Sequence, residues 1–361
     1  MDSPITSLNG FGAERERWER LYRADPHSQV FLSWSWLFAY FRGAPRGWSV
    51  LAVREGDDLV AALPVRITPV PSRLLPVARQ LGFASSPVGD YQGMLCLPGR
   101  EPEAIRALAS AALALHWDRA VFSDVADTRF PRLLAAIGVD AERAEVTGTT
   151  RCPRVDLPDS WDAFAKTLGQ GTRGTTVRSI RRMREDLPAF RVSSPTAADV
   201  DEHVEGMVRL HHARWGGSLR TTRAKYGALH RAAFDAGCLR LIVLWDGTRP
   251  IAGAASFVDD AHATYALYQL AFDGAYAKYS PGKGAVGLAI RDAIERGYRV
   301  FDFGRGDEAY KRSYAPDALV TTHYRVGRGG IRSSLFGVIH PAYRTVKGAA
   351  ARVVYGPGRR I

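Results

Sequence analysis

Three cysteines stand in 361 residues, Cys96, Cys152 and Cys238, and no two of them form a C-x-x-C pair. An odd, scattered set excludes a disulfide framework, offers no zinc-ligand spacing and fits a reducing compartment. No run of about 18 apolar residues occurs, so no membrane span is expected. Met1 to Arg17 lacks the apolar stretch of a signal peptide, and a cytoplasmic location is the expectation. The P-loop pattern G-x-x-x-x-G-K-[ST] is missing as well. Acids are missing from Ala318 to Ile361, a stretch that holds eight Lys or Arg.

The rest of the composition is that of a chain with a core, 46% hydrophobic and 24% charged, long enough for one large domain or two ordinary ones. The net charge of +12 is unevenly spread. Besides the tail, a basic run covers Lys166 to Arg184, with Arg173, Arg178, Arg181, Arg182 and Arg184. Such a surface attracts polyanions or is simply a solvated face.

Hydrophobic patterning alternates strands and helices. Helices are expected over Ala13–Ala24, Trp34–Phe41 and Glu101–His116, and strands over Trp48–Arg54, Leu59–Ile67, Gln80–Phe83, Gly93–Leu97 and Ala120–Val125. A Pro-rich connection, Pro69 to Pro76, interrupts them. The second half repeats the order: strands Leu239–Leu244, Ile251–Val258 and Thr264–Ala271, helix Pro281–Arg296, strand Val300–Phe303. The turn at Gly56 and the turn at Gly247 are offset by 191 residues, and the later helix and strand by about 180, which reads as a weak internal duplication. Residues 1–150 form the first half and residues 151–330 the second, with a boundary near Gly148–Pro158 and a helical insert over 160–236. Residues 331–361 form a basic, partly amphipathic tail suited to anionic membrane or RNA, or to packing back on the domain.

The stretch Tyr276–Lys311 carries the chemistry. Ser280, a suitable N-cap, precedes Pro281 at the first helical position. The following helix start, with Gly282, Lys283 and Gly284, is a ready anion site, because free N–H groups and the helix dipole point the same way. Gly282, Gly284 and Gly287 also spell G-x-G-x-x-G, with Asp302 further on. A dinucleotide site needs those glycines directly after a strand, and here Tyr276, Tyr279 and Pro281 intervene. A coenzyme A pyrophosphate loop uses the same backbone groups. A capped helix with glycines for close packing is the plainer reading.

These motifs carry a family resemblance. S-P-G-K at Ser280–Lys283, then F-D-F-G-R-G-D-E-A-Y-K at Phe301–Lys311, resemble the acyltransferases of the cellulose-biosynthesis CelD/BcsL type, a GNAT-fold group related to the Fem aminoacyl transferases. F-L-S-W-S-W-L at Phe31–Leu37, G-D-Y-Q-G-M-L at Gly89–Leu95 and L-H-H-A-R-W-G-G at Leu210–Gly217 extend the likeness from Phe31 to Gly327. The resemblance implies an α/β (α+β) fold of tandem GNAT-like halves, mixed sheets flanked by helices, with the acyl donor in the second half. The implied reaction moves an acyl group from acyl-CoA, without a metal, to an amine or hydroxyl of a sugar, peptide or cell-envelope precursor. Tyr279 stands where the coenzyme A loop has Gln or Arg, which keeps the Fem relatives' aminoacyl-tRNA as an alternative donor. A non-enzymatic RNA- or membrane-binding protein is a further alternative.

Acyl transfer needs a base for the acceptor proton and an acid for the leaving thiolate. Asp302, between two apolar neighbours on a short strand, is a candidate base or a structural acid; Asp307 and Glu308 are alternative bases or caps. Tyr310 is a candidate proton donor or a packing residue. Arg305 and Lys311 are candidates to hold a phosphate or carboxylate, or are ion-pair partners. His211, Arg214 and Trp215 share a helix face at spacings suited to an acceptor pocket. Asp90, Tyr91, Gln92, Trp34 and Trp36 are candidates for the acceptor cleft or for the core.

Overall fold

A computed structural model of the chain describes residues 3–43, 47–72, 76–138 and 144–328, together with Leu335, Phe336, Val338 and Ile339. In chain order, α1 (Leu8–Ala13), α2 (Arg15–Ala24) and α3 (Trp34–Gly43) precede β1 (Trp48–Glu55), β2 (Asp58–Pro71), β3 (Pro76–Phe83) and β4 (Leu95–Cys96). Then come α4 (Glu101–Ala114), β5 (Arg119–Val125), α5 (Phe130–Ala136), β6 (Ala144–Asp156), α6 (Trp161–Thr167), α7 (Gln170–Asp186), β7 (Phe190–Ser193) and α8 (Val200–Trp215). They are followed by α9 (Leu219–Thr222), a π-helical turn (Arg223–Gly227), α10 (Ala228–Asp235), β8 (Leu239–Asp246), β9 (Arg249–Asp259) and β10 (Thr264–Phe272). The last elements are α11 (Pro281–Glu295), β11 (Val300–Asp302), α12 (Ala309–Arg312) and β12 (Asp317–Gly327).

Contacts divide the chain into two units. The first comprises Met1–Ser7, Arg46–Thr149 and Thr322–Ile361; the second comprises Leu8–Pro45 and Thr150–Thr321. In mid-chain the division falls inside a strand, β6. The first three helices, grouped by sequence with residues 1–150, belong to the second unit. Apolar contact explains this: Trp36 of α3 and Phe31 just before that helix meet Phe257 of β9 edge-on, at 6.0 and 6.2 Å between ring centres.

In the first unit β2 pairs antiparallel with β1, β3 and β4, β3 runs parallel to β5, and β5 pairs antiparallel with the end of β12. Buried residues of α4, such as Ile105 and Leu108, pack over Leu63, Leu81 and Phe122. In the second unit the sheet order is β6-β11-β10-β9-β8-β7, antiparallel except for β10 and β11. Both units thus contain a hairpin, a third strand, a helix and a strand parallel to the third, which is the architecture implied by the duplicated pattern. The Pro-rich stretch expected as a connection is strand at both ends, since β2 runs on to Pro71 and β3 begins at Pro76, where the two pair. Prolines are tolerated there in a sheet of this kind only where they interrupt no needed ladder bond.

Side chains alternate across the second unit's sheet. Ile242, Leu244 and Leu267 face α11 in one core, where Val286, Ile290 and Phe301 also lie. Gly253, between them, faces α8: a Cβ there would come within 2.7 Å of Met207. Helices therefore cover both faces, and the expected helical insert supplies α6, α7, α8 and α10.

Candidate active site

The two parallel strands of the second unit pair only at one end, from Thr264↔Val300 to Ala266↔Asp302. Beyond it β10 continues to Phe272. The other chain turns to β6, where Phe303 N–H bonds Pro153 (2.8 Å) and Gly306 N–H bonds Arg151 (3.1 Å). The strands part, and the segment Phe303–Tyr310 lies along one side of the opening. On β10 the register shifts between Leu267 and Gln269, making Tyr268 an extra residue. Bulges of this kind re-aim the side chains beside them.

Asp302 is 4% exposed, and its Oδ1 accepts the N–H of Gly304 at 2.6 Å. Gly304 and Gly306 have φ of 66° and 104°, conformations that glycine adopts without a steric penalty. Lys311, read as an anion holder or an ion-pair partner, is buried. Its Nζ donates to the carbonyl of Arg305 at 2.7 Å and pairs with Glu308 at 2.9 Å. A buried ammonium needs such partners, so Lys311 ties the loop rather than facing a substrate. Asp307 pairs with Arg312 at 2.9 Å, and Arg305 is exposed. Tyr310 packs its ring against Phe303. Burial, then the Glu308 carboxylate, push its phenol well above the usual range, while Arg214 acts in the opposite direction. The phenol is therefore protonated at neutral pH and able to donate.

The helix start differs from expectation. Ser280 adopts the left-handed conformation, φ 53°, and its side chain makes no cap bond. Its carbonyl accepts the N–H groups of Lys283 and Gly284, at 3.0 and 3.3 Å, and the Ser179 hydroxyl at 3.1 Å. Pro281 has no N–H, which leaves Gly282 as the free donor of this turn. Gly284 is explained by packing: a Cβ would come within 2.7 Å of Ser179 Oγ and 2.9 Å of Ile180 on α7. At Gly282 a Cβ would sit 3.1 Å from Phe272. Tyr279 is a core residue under Arg182 and Lys278, whose charged groups lie 6.0 and 4.8 Å from its ring centre. The exposed face of α7 carries Arg173, Arg178, Arg181, Arg182 and Arg184, and of these Arg182 lies beside the turn, together with Lys278.

On α8, His211, Arg214 and Trp215 come together as their spacing predicts. The His211 ring lies 4.4 Å from that of Trp215 and 4.5 Å from that of Tyr226, in the π-helical turn. Its Nδ1 faces Gln269 Nε2 at 3.4 Å. Burial first, then Lys225, His212 and Arg214, lower the imidazole to about 4, so it is neutral at physiological pH. Arg214 donates to the Leu270 carbonyl at 2.8 Å, at the far end of β10, and lies over Phe272. It therefore links this group to the opening beside Tyr310. Gln269, Tyr226, Lys225 and His230 carry no sequence signal; Gln269 enters through the bulge, Tyr226 and Lys225 through the π-turn and His230 from α10 behind it.

Residues 170–312 match the acetyltransferase (GNAT) domain. The match spans α7 to α12 and so contains the parted strands, Tyr310 and the His211 group. A search of curated proteins gave no match. Among solved structures the chain is similar to FemX (TM-score 0.60, 12% identity, covering 90% of this chain and 98% of that one). It is similar to L-PGS from Bacillus licheniformis (0.56, 10%, 92% and 96%). It is also similar to a tandem GNAT protein from the clavulanic acid biosynthesis pathway (0.54, 11%, 91% and 99%). At these identities the likeness is one of fold.

Outside the GNAT match, Asp90 and Tyr91 belong to the first unit and are buried, Tyr91 fully. Gln92 bonds Ser85 there, so these residues build the first unit's interior. Trp34 and Trp36 are likewise core residues, of the second unit. Most of the tail expected to contact membrane or RNA lies outside the described residues; Phe336 is buried under Arg119, at 4.2 Å. Among the described residues no helix is long and apolar enough to cross a membrane, and no cluster of metal-ligating side chains occurs.

Proposed function

We propose that the chain is an acyltransferase that takes an acyl group from acyl-CoA in the opening between β10 and Phe303–Tyr310 and passes it to an amine or hydroxyl of a sugar, peptide or envelope precursor. The observation that carries this reading is the parting of β10 from β11 beside the start of α11, with Tyr310 on one side and Arg214 on the other. A thioester threaded there has its diphosphate near the Gly282 N–H and the cations Arg178, Arg182 and Lys278. Tyr310 protonates the departing thiolate. Neutral His211 takes the acceptor's proton, and Asp302 holds the loop that carries Tyr310.

Calorimetry with acetyl-CoA and longer acyl-CoAs tests the donor. Saturable binding that Arg182→Glu weakens supports it, and absence of binding by every acyl-CoA overturns it. The row of exposed arginines on α7 favours a second reading, in which aminoacyl-tRNA is the donor. Transfer that stops on ribonuclease treatment and proceeds without acyl-CoA selects that reading instead.

A further inference from the structure

The His211 group holds more hydrogen-bonding capacity than the protein uses. Gln269 is 7% exposed, and its Oε1 is buried with no partner. His230 on α10 is fully buried and neither ring nitrogen has a partner. His230 is neutral, lowered to about 3 by burial and then by His211. A buried polar atom left unmet destabilises a fold, so Gln269 and His230 point to a ligand that brings hydrogen-bonding groups of its own. His211 Nδ1 and the unmet Gln269 Oε1 are acceptors on two neighbouring side chains, and the 3.4 Å contact between Gln269 Nε2 and His211 Nδ1 is long enough to yield to a better donor.

The charges around this group have one sign. Lys225 lies over the Tyr226 ring at 4.8 Å and Arg214 over the Trp215 ring at 4.7 Å, the two rings that flank His211. The acids nearby are committed: Glu308 pairs with Lys311 at 2.9 Å, and Glu205, further along α8, pairs with Arg223 at 2.6 Å and Arg209 at 3.2 Å. An ammonium entering here meets cations and no counter-ion, whereas a neutral or anionic compound does not. Trp215, 50% exposed, and Tyr226 flank the imidazole and offer apolar ring surface, which matches the C–H face of a sugar.

We infer that the acceptor is an alcohol of the sugar class, neutral or anionic, whose adjacent hydroxyls meet His211 Nδ1 and Gln269 Oε1, and that an ammonium-bearing peptide or lysine is rejected. The inference rests on the acyltransferase reading and narrows it to ester formation. The alcohol oxygen bonds to the thioester carbonyl carbon while its proton passes to His211 Nδ1. The C–S bond breaks and the sulfur takes the phenolic proton of Tyr310. Exchange with water then returns His211 and Tyr310 to their starting states, leaving one ester and one free thiol.

Saturation-transfer NMR on the full chain tests this with methyl α-D-glucoside, D-glucuronate and L-lysine amide as probes. Acetyl-CoA binding is measured separately by calorimetry. Both sugars should bind and lysine amide should not. Gln269→Leu should weaken both sugars about tenfold, the worth of one buried hydrogen bond. Lys225→Glu should weaken glucuronate more than the glucoside without altering acetyl-CoA affinity. Should Gln269→Leu fail to fold, Lys225→Glu, an exposed position, carries the test. Binding of lysine amide as tight as that of the sugars, binding of no probe, or sugar binding untouched by either substitution overturns the inference. Sugar binding without acetyl-CoA binding leaves it standing and removes the donor reading alone.

Discussion

At the scale of single residues, Gly287 and Gly284 set how closely α11 approaches α7. An added Cβ at Gly287 would lie 2.4 Å from Thr176 Cγ2, and Thr176 is fixed by a 2.5 Å bond to the Tyr314 hydroxyl. Gly287→Ala should therefore destabilise the protein by about 1–3 kcal/mol, the usual cost of overpacking. Thermal unfolding should show a fall of about 2–4 °C for each kcal/mol. Tyr310→Phe removes the proposed acid and little packing. Turnover should fall by about 10²-fold while acyl-CoA affinity by calorimetry stays as it was. His211 and His230, lowered to about 4 and about 3, give a signed pH effect. Both are neutral when folded and take up protons on unfolding below about pH 6.5. Their contribution is complete above that value and is lost as pH falls towards 4; denaturant titrations at pH 7 and pH 5 should show it, and a His230→Phe variant should lose less over the same interval.

At the scale of elements, one cluster looks like a nucleophilic triad and is a clasp. Ser28 Oγ lies 3.0 Å from His262 Nε2, and His262 Nδ1 lies 2.9 Å from Asp259 Oδ2. Ser28, however, is buried and its hydroxyl faces the Tyr22 and Asp25 carbonyls at 2.8 Å. The Tyr22 hydroxyl donates to the same Asp259 oxygen at 2.6 Å. A doubly protonated His262 satisfies every partner, joining the turn after α2 to the end of β9. The Asp259 hydrogen bond holds His262 above its ordinary value despite partial burial. The clasp is thus fully effective below about pH 6.5 and fades as pH rises through the raised value. The stability difference between the parent and His262→Gln should shrink from pH 6 to pH 9, and a difference that grows with pH would sink the idea. Elements of this unit were legible where one face is apolar throughout: α11 and β8 to β10 lie within a few residues of their expected bounds. Strands β6 and β12 were not, because much of their surface is polar and exposed and no alternation marks them. The site was legible in part. Tyr310, His211 and Trp215 stand out by residue type and spacing, whereas Gly284 reads as a phosphate contact until α7 is seen against it. Gln269 gains its meaning only from a one-residue register shift.

At the scale of the whole molecule, the units do not follow the halves of the chain. Residues 8–45 complete the second unit and residues 322–327 the first. A fragment of residues 151–330 should therefore be insoluble, because it leaves Phe257 and its neighbours without Phe31 and Trp36. Supplying residues 1–150 from a second gene should recover folded material by size-exclusion chromatography. A monodisperse, cooperatively unfolding 151–330 fragment would show the division to be wrong.

The same interleaving sets a schedule for biosynthesis. At about 5–20 residues per second, the strand that finishes the first unit leaves the ribosome long after that unit's other strands. The opening helices wait almost as long for the sheet they cover. A truncated message thus yields two incomplete bodies rather than one finished and one missing, and nascent chains of this protein should depend on chaperones through most of their translation.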